Sequence, residues 1–405
     1  MDSGFNAVGF FVNLIILSLL VLPVFYFCRH AWSRRFVLIV FGATLLFLIA
    51  PRLLLFYLAY WLVISGAHIA ICATSEKPIG IYVFWTCLVA ALAPMVVWKI
   101  FPFHFVTEFN LKLHSTAWLL GSSIGQADSV RNAILPLGLS FASFRAADLM
   151  INSYLGVQAR LKLDRVLFYG FFAPVQVIGP VIQYGEIEKS AEKAERLKVD
   201  DITAGAGGIA MGFFKVMVLA LPLQNSVTLF STPPENMACK WLVLILFTWY
   251  FYLNFAGYSD MAIGAARLFG YRLKPNFDFP FFKSSLQEFW NGWHMSLTRF
   301  CQRNVFIPLG GYRKNSEHLA LYSMMITIGL WHDIKWSFVL YGVFHASGIM
   351  LERILRTRFA LPSRASGLLG VALNLAVFMF VALGMPMVML PVNQLLPFYI
   401  SLFRW

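Results

Sequence analysis

The sequence predicts an all-α integral membrane protein crossed many times by the bilayer. Two observations point there. The 405 residues are 59% apolar and only 13% charged, whereas a soluble domain carries roughly 25% charged residues. Such a chain cannot clothe a water-facing surface. The apolar residues also fall in blocks near 7–27, 36–50, 53–73, 79–101, 133–151, 165–182, 203–230, 239–265, 319–331, 336–351 and 366–403. Several are long enough to cross a hydrocarbon core of ~30 Å, and together they read as about ten spans.

Taken in order, the block at 7–27 lacks the basic start and small-residue cleavage site of a leader, so it reads as a retained span. Arg29, Arg34 and Arg35 follow it at once. The positive-inside rule then puts the N-terminus outside and this loop in the cytoplasm. The same rule accounts for the net charge of +13 without invoking nucleic acid. A long mixed connection occupies 101–129. The block 166–185 holds Pro174, Gly179 and Pro180. Irregular backbone at membrane depth survives only inside protein or beside water, so this block reads as re-entrant. The stretch 186–201 reads as a charged, solvated helix. Five scattered cysteines (28, 72, 87, 239, 301) show no CxxC and read as small buried apolar residues. No internal repeat is visible. The whole is expected to be one catalytic domain, with peripheral spans over 1–130, a core over 131–360 and a C-terminal span over 361–405.

The stretch "LQEFWNGWHMSLTRFCQRNVFIPLGGYRK" (286–314) is the densest in chemistry. Ser285 followed by Glu288 is a capping box that should start a helix. Leu286, Phe289, Trp290, Trp293, Leu297 and Phe300 recur at helical spacing. A helix over 286–300 is ~22 Å long at the usual rise, so it lies tilted or embedded. On that helix His294 follows Trp290 by one turn and points along the apolar stripe. Gly292 lets another segment approach, and Pro308, Gly310 and Gly311 force a turn. Arg299, Arg303, Arg313 and Lys314 are either snorkelling cations or a basic mouth for an anionic carrier group.

A second site follows. The apolar run ending at Trp331 is interrupted by His332, Asp333 and Lys335 and resumes at Trp336. This is either a loop in water or a functional interruption of a membrane run. A histidine is neutral near pH 7, so it can exist in lipid and still accept a proton. No two histidines stand four apart on a helix beside an acidic residue, so no metal is expected.

These residues resemble the membrane-bound O-acyltransferase family. The likeness rests on "FYLNFAGYSDMAIGAARLFGYRLKPNFDFPF" (251–281), "EFWNGWHMSLTRF" (288–300), "VFIPLGGYRK" (305–314) and "GLWHDIKWSFVLYGVFH" (329–345), with "LSFASFRAADLMI" and "FFAPVQVIGPVIQY" matching less tightly. The resemblance implies about eleven transmembrane or re-entrant helices around a thin core with a central funnel. It implies that His332 is catalytic and that His294 lines the same tunnel, with Ser296 in the WHxS motif beside it. Trp290, Trp293 and Trp331 would wall the tunnel, and Asn291 and Tyr258 would help to position substrate. The nearest branch is bacterial, whose members O-acetylate polysaccharide or peptidoglycan or pass D-alanine toward teichoic acid. Two departures stand out: Asp333 where relatives carry glycine, and Gln302–Arg303 where they carry arginine–aspartate.

The resemblance therefore implies an enzyme of the inner bacterial membrane. It would take an acyl thioester as donor, acetyl-coenzyme A by default or an acyl carrier protein, and hold no permanent cofactor. The acceptor would be a hydroxyl of a polysaccharide or of an intermediary, with an extracytoplasmic partner transferase finishing some reactions. Besides lipid, no other partner is implied. A transporter or channel would also bury histidines and break helices. It would not need two histidines among tryptophans at this spacing.

Overall fold

The computed structural model describes residues 7–49, 51–100, 138–191, 198–231, 234–313, 316–360 and 366–404. Among them the regular structure is helical. Eight helices are long and apolar enough to cross a membrane. The 101–129 connection and Lys314 lie outside the described residues.

The described chain packs as two compact units, one within Met1–Ala210 with Met261–Lys274 and one of Met211–Asp260 with Pro275–Trp405. The first unit opens with four long helices: α1 (Ala7–Phe27), α2 (Ala31–Ile49), α3 (Pro51–Thr74) and α4 (Gly80–Ile100). Then come α5 (Leu139–Tyr154), α6 (Leu163–Gly170), α7 (Tyr184–Ala191) and most of α8 (Val199–Phe213). Between α6 and α7 the expected irregular segment is present: a single 3-10 turn at Ala173–Val175, then non-helical chain up to Gln183. Nearly all of it is buried in protein, as an unpaired backbone in lipid would demand.

Arg145 of α5 shows how this unit satisfies a helix end. Its guanidinium donates to the carbonyls of Tyr169 (2.8 Å) and Gly170 (3.2 Å), the last residues of α6. It lies 5.5 Å from the Trp61 ring and 5.4 Å from the Tyr169 ring. A cation at a helix C-terminus meets both the orphan carbonyls and the helix dipole.

The stretch 186–201 is not one solvated helix. Residues 192–197 of it lie outside the described residues, Lys198 is non-helical, and Asp201 in the first turn of α8 is buried between Arg267 (2.8 Å) and Arg272 (3.2 Å). A carboxylate this deep needs paired cations, which the charge pattern alone did not reveal. The cysteines are all free thiols, but of the five only Cys301 is buried as expected; Cys28, Cys72 and Cys87 are half-buried and Cys239 is exposed.

The second unit starts on a π-helical turn, Phe214–Ala220, followed by α9 (Asn225–Ser231). The 32-residue α10 (Met237–Leu268) gives its last turns to the first unit. Lys215 in the π-helical turn pairs with Asp260 of α10 at 2.5 Å, an ion pair inside two apolar segments. Next come α11 (Leu286–Gly292) and α12 (Met295–Cys301), with a π-helical turn over Gln302–Phe306. The unit closes with α13 (Glu317–His332), α14 (Trp336–Arg358), α15 (Gly367–Met389) and α16 (Val392–Ser401). α13 has 16 residues, about 24 Å at the helical rise.

Candidate active site

The expected continuous helix over 286–300 is two short helices with a break at Trp293 and His294. α11 begins as read: the Ser285 hydroxyl accepts from the Glu288 N–H at 3.0 Å. It stops at Gly292. Trp293 is extended, and His294 adopts the left-handed conformation with φ 41°. For a residue with a Cβ that conformation costs of order 1–3 kcal/mol and persists only when neighbours enforce it.

The neighbour is the segment between Pro275 and Pro280. Asp278 N–H donates to Gly292 C=O, and Met295 N–H donates to Asn276 C=O, both at 2.9 Å. A Cβ at Gly292 would stand 2.8 Å from the Asp278 carbonyl oxygen, so only glycine admits this segment. The break therefore keeps its buried backbone groups paired. His294 consequently leaves the Trp290 stripe. The sequence did carry the signal: Asn291–Gly292 is a helix stop, and a proline-bounded loop precedes the helix.

His294 is 1% exposed. Its ring meets Phe255 edge-on at 4.7 Å and Trp331 at 5.4 Å. His332, the last residue of α13, lies with its ring centroid 6.5 Å from that of His294. Trp331 (4.8 Å) and Phe338 (6.1 Å, stacked) flank His332. Two histidines far apart in sequence thus meet in an aromatic setting. His294 lies outside the eight candidate spans. Burial first, then the neighbouring His332, push its imidazole well below the usual histidine range.

A residue that sequence reading had not singled out organises the pair. The Asn276 side-chain oxygen accepts from Ser296 N–H (3.2 Å) and Ser296 Oγ (2.8 Å), and it faces His294 Nδ1 at 3.3 Å. Its amide nitrogen donates to Ser259 Oγ at 3.1 Å. Ser296 therefore belongs to the His294 network, and on α10 Ser259, the neighbour of half-buried Tyr258, joins it.

The other expected wall residues divide. Trp331 touches His294. Trp293 stacks instead on Phe289 (5.4 Å) and Phe251 (6.2 Å). Trp290 and the exposed Asn291 line a separate cavity of about 250 Å³, together with Gln287, Gln302, Tyr312 and Arg353. Neither catalytic candidate lines that cavity. Trp290 also meets His345 edge-on at 5.1 Å, a fully buried histidine that sequence reading passed over.

Of the basic residues, Arg299 closes α12, Arg303 lies in the following π-helical turn, and Arg313 is exposed on the turn beyond. Gln302 ties that turn down by donating to the Tyr312 hydroxyl at 2.9 Å. Asp333 is extended, with φ −159°, so no glycine is required there. Its carboxylate pairs with Lys335 at 2.6 Å and accepts from Ile334 N–H at 2.9 Å. Among the described residues, no group of three His, Cys, Asp or Glu could hold a metal ion.

The family model of the membrane-bound O-acyltransferases matches residues 108–390. The chain belongs to the membrane-bound O-acyltransferase family. It is 32% identical to a probable alginate O-acetylase of Azotobacter vinelandii over 56% of this chain and 46% of that protein. A peptidoglycan O-acetyltransferase of Helicobacter pylori is 29% identical over 47% of this chain and 37% of the relative. A teichoic acid D-alanyltransferase of Bacillus subtilis is 24% identical over 68% and 69%. The chain thus spans about half the length of the alginate O-acetylases it matches. Both histidines, Asn276 and Ser259 fall within the stretch that the O-acyltransferase model matches.

Proposed function

We propose that this protein is a membrane-embedded O-acyltransferase that moves an acyl group, acetyl by default, from a cytoplasmic thioester to a hydroxyl on the extracytoplasmic side. The observation that carries the reading is the His294–His332 pair, 6.5 Å apart between aromatic rings in a chain of this family. Attack of an alcohol on a thioester needs a base and a site that keeps water out. In this reading His332 takes the hydroxyl proton as the oxygen bonds to the thioester carbon. The carbon–sulfur bond then breaks, and the leaving thiolate recovers the proton from His332. Trp331 and Phe338 hold the His332 ring and exclude water.

Acetyl-coenzyme A is the default donor because O-acetylating proteins are among the relatives this chain is similar to. The acceptor is a hydroxyl of a cell-surface or secreted polysaccharide, or of an intermediary that a partner transferase on the outer face then uses. Arg299, Arg303, Arg313 and Lys314 would receive the anionic part of the donor. Arg29, Arg34 and Arg35 after α1 support a cytoplasmic loop there, an outside N-terminus and residence in the inner membrane. D-alanyl transfer from a carrier-protein thioester is the second reading, favoured by a teichoic acid D-alanyltransferase that matches over 68% of this chain and 69% of its own.

The test is purified protein in liposomes with radiolabelled acetyl-coenzyme A and a carbohydrate acceptor. Transfer should occur, and His332→Ala should lower it by about 10²–10⁴ while the protein still elutes as a folded species. Full turnover by His332→Ala, or solute uptake without acyl transfer, overturns the reading.

A further inference from the structure

The hydrogen bonds around Asn276 fix which nitrogen of His294 carries the proton. The backbone N–H of Ser296 can only donate, and it points at the Asn276 side chain from 3.2 Å. The atom it meets is therefore the amide oxygen, not the amide nitrogen. The other end of the amide agrees, because it has the Ser259 hydroxyl to donate to at 3.1 Å. His294 Nδ1 faces that same oxygen at 3.3 Å. An amide oxygen only accepts, and Ser296 Oγ, 3.5 Å from Nδ1, already directs its hydrogen to that oxygen at 2.8 Å, so both groups facing Nδ1 are acceptors and Nδ1 bears the hydrogen. A neutral imidazole has one such hydrogen, so Nε2 presents a bare lone pair. That Nε2 is buried and has no hydrogen-bond partner among the described residues. The grip is firm because Asn276 is 1% exposed and its own carbonyl takes the Met295 N–H.

We propose that Asn276 is a positioning residue that holds His294 in the Nδ1–H tautomer, so that its Nε2 receives a hydrogen-bond donor from a bound substrate. The proposal rests on the reading of the histidine pair as the transfer site. It gives His294 a definite polarity: this imidazole cannot donate to a developing oxyanion in its resting state. Its ligand is an N–H or O–H group, either an amide of the thioester's carrier arm or a second hydroxyl of the acceptor. The neighbouring imidazole does not fill that role. A direct hydrogen bond between the two imidazoles would bring their centroids to about 5 Å. The observed 6.5 Å is longer, so His332 does not take the Nε2 lone pair of His294.

The experiment uses the full-length protein, labelled with ¹⁵N-histidine, in liposomes. Solid-state NMR reads the two ring nitrogens of His294, assigned by the signals that His294→Gln removes. Nδ1 protonated and Nε2 bare is the expected result; Nε2 protonated in the wild type overturns the proposal. Asn276→Asp keeps an acceptor facing Nδ1 and should keep the tautomer, whereas Asn276→Leu should release it. In the transfer assay Asn276→Leu should lower kcat/KM about tenfold or more, and Asn276→Asp should recover part of that loss. A rise in KM for the thioester alone names the carrier amide as the donor group, and a rise for the acceptor alone names its hydroxyl. Equal kcat/KM in Asn276→Leu and wild type overturns the proposal. If His294→Gln and His332→Ala both transfer at full rate, the site reading itself falls. If both fail to transfer and the tautomer is Nε2–H, only the present inference falls.

Discussion

Gly292→Ala tests whether the break in the 286–301 segment is built or incidental. The added methyl would stand 2.8 Å from the Asp278 carbonyl oxygen, and the next atom it meets is Lys283 Cε at 3.2 Å. That oxygen belongs to backbone whose own N–H is bonded to Gly292 C=O, so it cannot swing away without losing the bond. Overpacking of this kind costs about 1–3 kcal/mol, and the lost hydrogen bond adds about 1 kcal/mol. A destabilisation of about 2–4 kcal/mol follows. The displaced segment carries Asn276 two residues earlier, so the His294 ring should shift with it. A misplacement of about 1 Å can cost about 10² in rate. The assays are thermal unfolding in detergent and acyl transfer in liposomes. Gly66→Ala is the control, because a Cβ there meets nothing within 4 Å on an exposed face of α3. It should be neutral or stabilising by about 0.5–1 kcal/mol. If Gly292→Ala melts and turns over like Gly66→Ala, the argument from the Asp278 contact is wrong.

Two further outcomes follow from the same structure. Arg145→Ala strands the carbonyls of Tyr169 and Gly170 and empties a slot against two rings, so it should cost about 3–5 kcal/mol in unfolding. Arg145→Lys should restore only part, because an ammonium cannot match the planar fork that reaches both carbonyls. Asp333→Gly installs the glycine that the family resemblance implied, at a position whose backbone needs none. Its partner Lys335 is two-thirds exposed, so the change should cost about 1 kcal/mol or less in thermal unfolding. Acyl transfer should be kept, and its loss would show that the carboxylate acts in the reaction.

Much of the membrane architecture was legible because lipid leaves few options. Long apolar runs must form helices, and α1, α3, α4 and α14 begin within a few residues of their sequence blocks. Legibility failed where tertiary partners decided. Asp201 read as part of a solvated charge run, yet Arg267 and Arg272, far along the chain, bury it. Trp290, Trp293 and Trp331 read as one wall because they share a composition. The break at Trp293 sends the first two to different neighbours, and only Trp331 reaches His294. His332 stood out as a candidate because the ionisable run His332–Lys335 contrasts with the apolar blocks on either side, and the structure places that run at the link between α13 and α14. Asn276 was not, because a single asparagine between prolines also reads as an ordinary turn residue.

The break explains how the buried His294 is held against its aromatic neighbours. In an unbroken helix the His294 backbone groups would be paired internally and its side chain would follow the stripe of Trp290. Here the paired backbone of 276–278 replaces the lost helical bonds, while the left-handed turn redirects the ring toward Trp331 and His332. The strain at φ 41° is thus offset by hydrogen bonds that also grip Asn276, the residue that orients the ring. Gly292 and Asn276 are therefore coupled: the first admits the segment, and the second uses it. The double variant Gly292→Ala/Asn276→Leu should lose less transfer than the sum of the two single losses in free energy, because either change alone already releases His294. Strict additivity would mean that the two residues act on the site independently, and the coupling argued from the Asp278–Gly292 and Met295–Asn276 bonds would fail.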